Sequence, residues 1–218
     1  MPDVTLIGPE FSTYVRTARI ACVEKGISHD LNTDHLSGPE SLKSEAHLAF
    51  HPFGRIPVML HGDFRLFETS AICRYIDATF DGPALIPSER RQAALMEQWI
   101  SAYNDYINPA ILRRHILPYA FPQGPDGTPD REVIDAGLPD VANMLKILNS
   151  ALESGPYFLG QTPTIADFFL LPAIDYLRTT PEGPDLLAGA PNVWRHRDEF
   201  SKRASYSETL PEGLKEAA

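Results

Sequence analysis

His51-Pro52-Phe53-Gly54-Arg55-Ile56-Pro57-Val58-Met59-Leu60, then His61-Gly62-Asp63, then Phe64-Arg65-Leu66-Phe67-Glu68-Thr69-Ser70, is the stretch on which the reading of this 218-residue chain turns. It predicts a loop, two short strands joined by a tight Gly-Asp turn, and the start of a helix. Pro57 falls where the first of those strands begins. Without an N–H it cannot donate to a strand ladder, so it belongs at a first strand residue or at an edge. The Ile56-Pro57 bond suits the cis form in that position, although only ~5% of X-Pro bonds in folded proteins are cis. At the far end, Thr69 is placed to cap a helix from Ser70 onward, with Glu68 favouring its dipole.

Upstream, Val4-Thr5-Leu6-Ile7 reads as a buried strand ended by Gly8-Pro9. A helix starts at Ser12 or Thr13, carries Val15, Ala18 and Cys22 at spacings of three and four, and closes at Lys25-Gly26. Residues 27–31 form a second strand, and a short helix covers residues 42–48. After Ser70, the series Ala71, Ile72, Tyr75 and Ile76 predicts a helix ending near Phe80. The order β-α-β-α-β-β-α fits a four-stranded mixed sheet with helices on its faces.

Residues 81–88, with two prolines and a glycine, read as a linker between a first domain over 1–80 and a second over 89–218. Beyond the linker the periodicity is helical. Ala93, Met96, Trp99, Ile100 and Tyr103 share one side of a helix over 89–107, which Pro109 then perturbs. Residues 131–152 form a long helix interrupted or preceded by Gly137-Leu138-Pro139. Thr164 and Asp167 have the spacing of a capping box, ahead of the apolar run Phe168 to Ile174. Residues 192–202 form a last amphipathic helix, and the Glu/Lys-rich end beyond it reads as a fraying terminus.

The formal net charge of -10 splits into 7 basic against 10 acidic residues up to Phe80 and 12 against 19 beyond it, which argues against nucleic acid as a partner. No apolar stretch is long enough to span a membrane. Cys22 and Cys73 show neither CxxC nor metal-ligand spacing, which points to a reduced, cytoplasmic protein. The seven histidines contain no HExxH or Cys/His cluster, so no metal is expected.

A proline before a strand, a hairpin and an acid-hydroxyl helix start together resemble the thioredoxin-like domain of glutathione S-transferases. The Phe158-Leu159-Gly160 and Thr164-x-Ala166-Asp167 pattern resembles the buried helix start of that family's second domain. The resemblance implies an α/β thioredoxin-like N-terminal domain, which binds glutathione, followed by an all-α C-terminal domain that contributes the electrophile pocket. It implies that Ile56 offers its backbone to the cysteinyl part of glutathione and that Glu68 and Thr69 hold the γ-glutamyl end. Their residue types suit such a ligand, since a helix N-terminus with a hydroxyl receives a carboxylate and a neighbouring acid receives an ammonium. Arg55 is matched to the glycyl carboxylate, at a position where phi-like members carry Lys or Gln.

A conjugating enzyme must favour the thiolate of a cosubstrate whose thiol is mostly protonated at neutral pH. A hydroxyl at a helix N-terminus does this by donating a hydrogen bond where free N–H groups add positive potential. Ser12, with Arg16 four residues on, resembles the serine-type, phi-like group of the family. Serine is also an ordinary N-cap, and Thr13 is the nearest competitor for the thiol. Electrophile-pocket candidates are Phe11, Tyr14, Tyr106, Ile107, Ile111 and His115, a group whose ordinary fate is the core. The expected activity is glutathione transfer to small apolar electrophiles by a homodimer that needs no cofactor. Phe53 is the candidate dimer anchor. An inactive protein that binds glutathione or apolar ligands is the alternative.

Overall fold

The computed structural model describes residues 2–215 and divides into two compact units. The first runs to Pro87 and is joined by a return segment over residues 203–215; the second is Ser88–Lys202. Residues 203–215, within the span expected for the second domain, group with the first unit.

In the first unit, β1 (Val4–Ile7), α1 (Thr13–Lys25) and β2 (His29–Asn32) are followed by a 3-10 turn over Pro39–Lys43 and by α2 (Glu45–Leu48). Then come β3 (Val58–His61), β4 (Phe64–Phe67) and α3 (Thr69–Thr79). The strand order is β2-β1-β3-β4, with β1 parallel to β2 and antiparallel to β3, and β3 antiparallel to β4. This is the expected mixed sheet, and the Ile56-Pro57 bond is cis. Strand β2 sits one to two residues later than predicted, because Ile27 is spent in the turn that follows α1, where its N–H bonds the Cys22 carbonyl.

Helix α1 begins after Ser12, whose hydroxyl accepts from the Val15 N–H at 3.4 Å, and ends at Gly26, whose positive φ lets its N–H reach the Cys22 and Val23 carbonyls. Val15, Ala18 and Cys22 from α1 and Ile72, Cys73 and Ile76 from α3 are fully buried with Leu6, Val58 and Met59 of the sheet. Each large aliphatic group so buried contributes about 1.5–3 kcal/mol. Lys25 closes this core, donating from Nζ to Asp77 Oδ1 at 2.8 Å and to the Pro83 carbonyl at 3.2 Å. Removing one member of such a buried pair strands the other charge.

The second unit is helical: α4 (Arg90–Ala102), a π-helical stretch over Tyr103–Ile116, α5 (Leu117–Ala120), α6 (Arg131–Ala151), α7 (Ile165–Leu177), α8 (Gly183–Ala188) and α9 (Pro191–Ser201). Pro109 perturbs the helix as expected, lying within a stretch whose turns are π-helical. Helix α6, by contrast, runs unbroken through Pro139, because Ile134 before it and Val141, Leu145 and Leu148 after it are all buried on one stripe. Helix α7 is buried along almost its whole length. Its start is fixed by Asp167, whose carboxylate accepts from the Thr164 amide at 2.7 Å, the Thr164 hydroxyl at 3.0 Å and the Phe158 amide at 3.0 Å, and faces His196 Nε2 at 3.1 Å.

Up to Lys215 the return segment is helical rather than frayed, and residues 216–218, which the same expectation covers, lie outside the described residues. Arg203 places its guanidinium on the Glu24 carboxylate, at 2.7 and 2.5 Å, before α10 (Ala204–Thr209), and α11 (Glu212–Lys215) follows. Against α10, Arg19 of α1 donates to the Glu208 and Thr209 carbonyls, and Arg16 donates to the Thr209 hydroxyl while lying over the Tyr206 ring.

Among the described residues no helix is long and apolar enough to cross a membrane, and no group of three or more His, Cys, Asp or Glu could hold a metal ion.

Candidate functional site

Register brings the first-unit candidates together. Ile7 pairs with Val58, and Val58 pairs with Phe67. The residues just beyond these pairs are Gly8, Pro57 and Glu68, so the connection from β1 to α1, the loop into β3 and the connection from β4 to α3 all lie at one end of the sheet. Ser12, Ile56 and Thr69 are carried on those three connections. Gly8 shows how closely they approach: a Cβ there would lie 2.5 Å from the Val15 side chain and 3.3 Å from that of Ile56, and its φ of +149° suits glycine.

Ser12 is half-buried at the N-terminus of α1. Its cap bond uses the oxygen as acceptor, which leaves the hydroxyl proton available to donate. Thr13 is buried, at 5% exposure. Arg16, matched to Ser12 by spacing, is fully buried and engages Thr209 and Tyr206.

At the start of α3 the roles differ from those predicted. Thr69 is the first helical residue rather than the cap, and Glu68 is the cap position, with no capping hydrogen bond from its side chain. Glu68 is exposed and adopts φ +71°, a region an L-residue seldom visits. Thr69 is buried to 6% exposure, so the start of α3 places a buried hydroxyl directly after an exposed carboxylate in the chain. Arg55 is exposed, while its carbonyl faces His47 Nε2 at 2.8 Å.

His47 and His51 are both buried, although the segment that carries them is polar in sequence. His51 packs against Phe67 in a tilted arrangement with centroids 4.8 Å apart, and burial pushes its pKa down while the charge of Glu68 works in the opposite direction. Two histidines four apart, leading into the proline loop, are the signal in the sequence for this pair, and metal-ligand spacing does not capture it.

The electrophile-pocket candidates do not share one environment. Phe11 is 55% and Tyr106 66% exposed, and Tyr14 is half-buried. Ile107 is 3% exposed, and Ile111 and His115 are wholly buried in the second unit. His115 Nε2 lies 3.0 Å from the Thr180 hydroxyl, and burial lowers its pKa despite Glu182 nearby. Those three pack the core. A groove of about 430 Å³ in the second unit, lined by Arg178, Pro184, Leu187, Ala188, Pro191 and Trp194, contains none of the candidates. Cys22 and Cys73 are buried thiols; desolvation pushes Cys22 up to about 12 and Cys73 upward as well, so neither supplies a thiolate at neutral pH.

The chain matches the family model described as "Glutathione S-transferase, N-terminal domain" over residues 11–79 and "Glutathione S-transferase, C-terminal domain" over 131–199. It is 29% identical over 208 residues to glutathione S-transferase F10 of Arabidopsis thaliana, covering 94% of this chain and 95% of that one. The crystal structure of poplar glutathione transferase F1 superposes with a TM-score of 0.85 at 27% identity, covering all of both chains. A glutathione S-transferase from Methylobacillus flagellatus, solved with glutathione bound, gives a TM-score of 0.77 at 26% identity, covering 95% of this chain and 99% of that one. The two domain matches together span more than half of the chain in the family's own order, on the family's fold, and this chain belongs to the glutathione S-transferase family.

Proposed function

We propose that this transferase binds glutathione across the three connections at the Ser12 end of its sheet and activates the thiol with Ser12. The γ-glutamyl carboxylate meets the first turn of α3 and the Thr69 hydroxyl, and its ammonium meets Glu68. The cysteinyl backbone pairs with Ile56, and Arg55, whose side chain is exposed, takes the glycyl carboxylate. Ser12 keeps its cap bond to Val15 and donates a hydrogen bond from its hydroxyl to the thiolate sulfur. The thiol proton leaves to solvent, the thiolate attacks an electrophilic carbon, a C–S bond forms, and the displaced electron pair departs with the leaving group or is taken up by the electrophile. Orientation and thiolate stabilisation supply the rate. No cofactor takes part.

The observation that carries this reading is the strand register that sets Gly8, Pro57 and Glu68 side by side. Of the electrophile-pocket candidates, Phe11 and Tyr14 of the first unit and Tyr106 of the second each keep exposed surface, whereas Ile111 and His115 have none. The reading makes the protein a cytoplasmic detoxifying enzyme for apolar electrophiles. It acts as a homodimer, anchored by Phe53, which is 72% exposed and large enough to serve as a binding hot spot.

Immobilised glutathione, an aryl halide assay and light scattering on one preparation test it. Retention, turnover and a mass twice the 24.2 kDa of the chain are expected. Retention without turnover identifies a binding protein instead, and absence of retention contradicts the site.

A further inference from the structure

We propose that His47 is a positioning residue for the glutathione site, setting the Arg55-Ile56 peptide through a relay that runs from His35 through His47 to the Arg55 carbonyl. The proposal rests on the reading of Ile56 as the residue that pairs with the cysteinyl backbone.

The geometry assigns the protons. His47 Nε2 lies 2.8 Å from the Arg55 carbonyl oxygen, which can only accept, so Nε2 carries the hydrogen. The other ring nitrogen of neutral His47 then holds a lone pair, and His35 Nε2 stands 3.0 Å from it as the donor. His35 is held in turn by stacking on Phe50, with centroids 5.3 Å apart and an interplanar angle of 22°. His47 is fully buried, so its bond to the carbonyl is shielded from water. Its backbone is fixed as well, since its carbonyl accepts from the His51 N–H at 2.9 Å and its N–H reaches the Ser44 hydroxyl at 3.2 Å.

The Arg55 C=O and the Ile56 N–H belong to one planar peptide, in which the two groups point in opposite directions. Holding the carbonyl on the His47 side therefore turns the Ile56 N–H to the other face of the loop. The loop between has its own closures, Gly54 N–H to the His51 carbonyl at 2.9 Å and Phe53 N–H to His51 Nδ1 at 3.3 Å, but neither fixes this peptide plane. His47 touches none of the reacting atoms. Its effect is on the binding of glutathione rather than on the chemistry.

The test compares the full-length wild type with His47→Leu, which removes the donor, and His47→Gln, whose amide nitrogen replaces Nε2. Glutathione is titrated by calorimetry, and turnover is measured with an aryl halide. For His47→Leu, Kd and KM for glutathione should rise about tenfold while kcat stays within about twofold. His47→Gln should recover most of that loss. A folded His47→Leu that binds like the wild type overturns the proposal, and so does His47→Gln binding as weakly as His47→Leu. If His47→Leu does not fold, ¹⁵N NMR of the wild-type imidazoles decides: an Nε2-protonated neutral His47 supports the relay, and an Nδ1-protonated one overturns it. A wild type that binds no glutathione is a different result, one that removes the site reading on which the proposal stands.

Discussion

Glu68 combines an exposed carboxylate with a backbone that an L-residue reaches only at a cost of about 1–3 kcal/mol. That pairing separates its two contributions by mutation. Glu68→Ala removes the carboxylate and keeps the strain, whereas Glu68→Gly removes both. Both variants should lose about tenfold in glutathione affinity with little change in kcat, since the γ-glutamyl end is remote from sulfur. In urea denaturation the Gly variant should exceed the Ala variant by about 1 kcal/mol, despite the larger entropy of an unfolded glycine. Unchanged affinity in both would remove Glu68 from the site. At this scale the sequence discloses residue types well and conformations poorly. Ser12 is legible as a cap because capping is local chemistry. The dihedrals of Glu68 follow from where β4 must hand over to α3, and that is set by strands Glu68 does not belong to.

Elements with their own periodicity are the most legible. Helix α1 is bounded by Ser12 and Gly26, both local signals, and α7 follows from its capping residues and the apolar run behind them. Pro139 misleads: a proline weakens a helix by about 3 kcal/mol, and the buried stripe around it outweighs that. The return segment is the least legible element. Its hydrogen-bonding partners Glu24, Arg16 and Arg19 lie far back along the chain, so in a local window it resembles a solvated tail. Its role is testable through the helix that carries Ser12. Arg203→Ala takes the guanidinium from the mostly buried Glu24 carboxylate while the Ser205 hydroxyl stays on it, and should cost about 1 kcal/mol in urea denaturation, a modest figure because Arg203 is itself partly exposed. An unchanged midpoint would mean that the segment merely rests on α1.

For the molecule as a whole, burial sets a common acid sensitivity in both units. His29, His51 and His115 all have pKa values lowered chiefly by desolvation. Unfolded, each takes up a proton near pH 6.5; folded, uptake waits for more acidic solution. The unfolded state therefore binds more protons in that interval, so this part of the stability is whole above about pH 6.5 and is lost as the pH falls through the folded values. The urea midpoint at about pH 5.5 should lie below that at about pH 7.5, and equal midpoints would mean that these imidazoles are as solvated folded as unfolded. The family and the architecture of the first unit are readable from residues 51–70 around Pro57. What those residues do not convey is which side chains elsewhere keep a surface. Ile107, Ile111 and His115 are buried whereas Phe11 and Tyr106 are exposed, because helical spacing marks a face without saying what covers it.

Thiol activation by Ser12 is decided by an ultraviolet titration of glutathione bound to the wild type and to Ser12→Ala, following thiolate absorbance against pH. Free thiols of this type ionise near pH ~8.5, and each unit of depression corresponds to about 1.4 kcal/mol of preference for the thiolate. In the wild-type complex the thiol should ionise at least about one unit below the free value, and Ser12→Ala should return it most of the way while the protein stays folded. Ionisation at the same pH in both complexes would contradict the assignment, leaving Ser12 as the cap of α1 and nothing more.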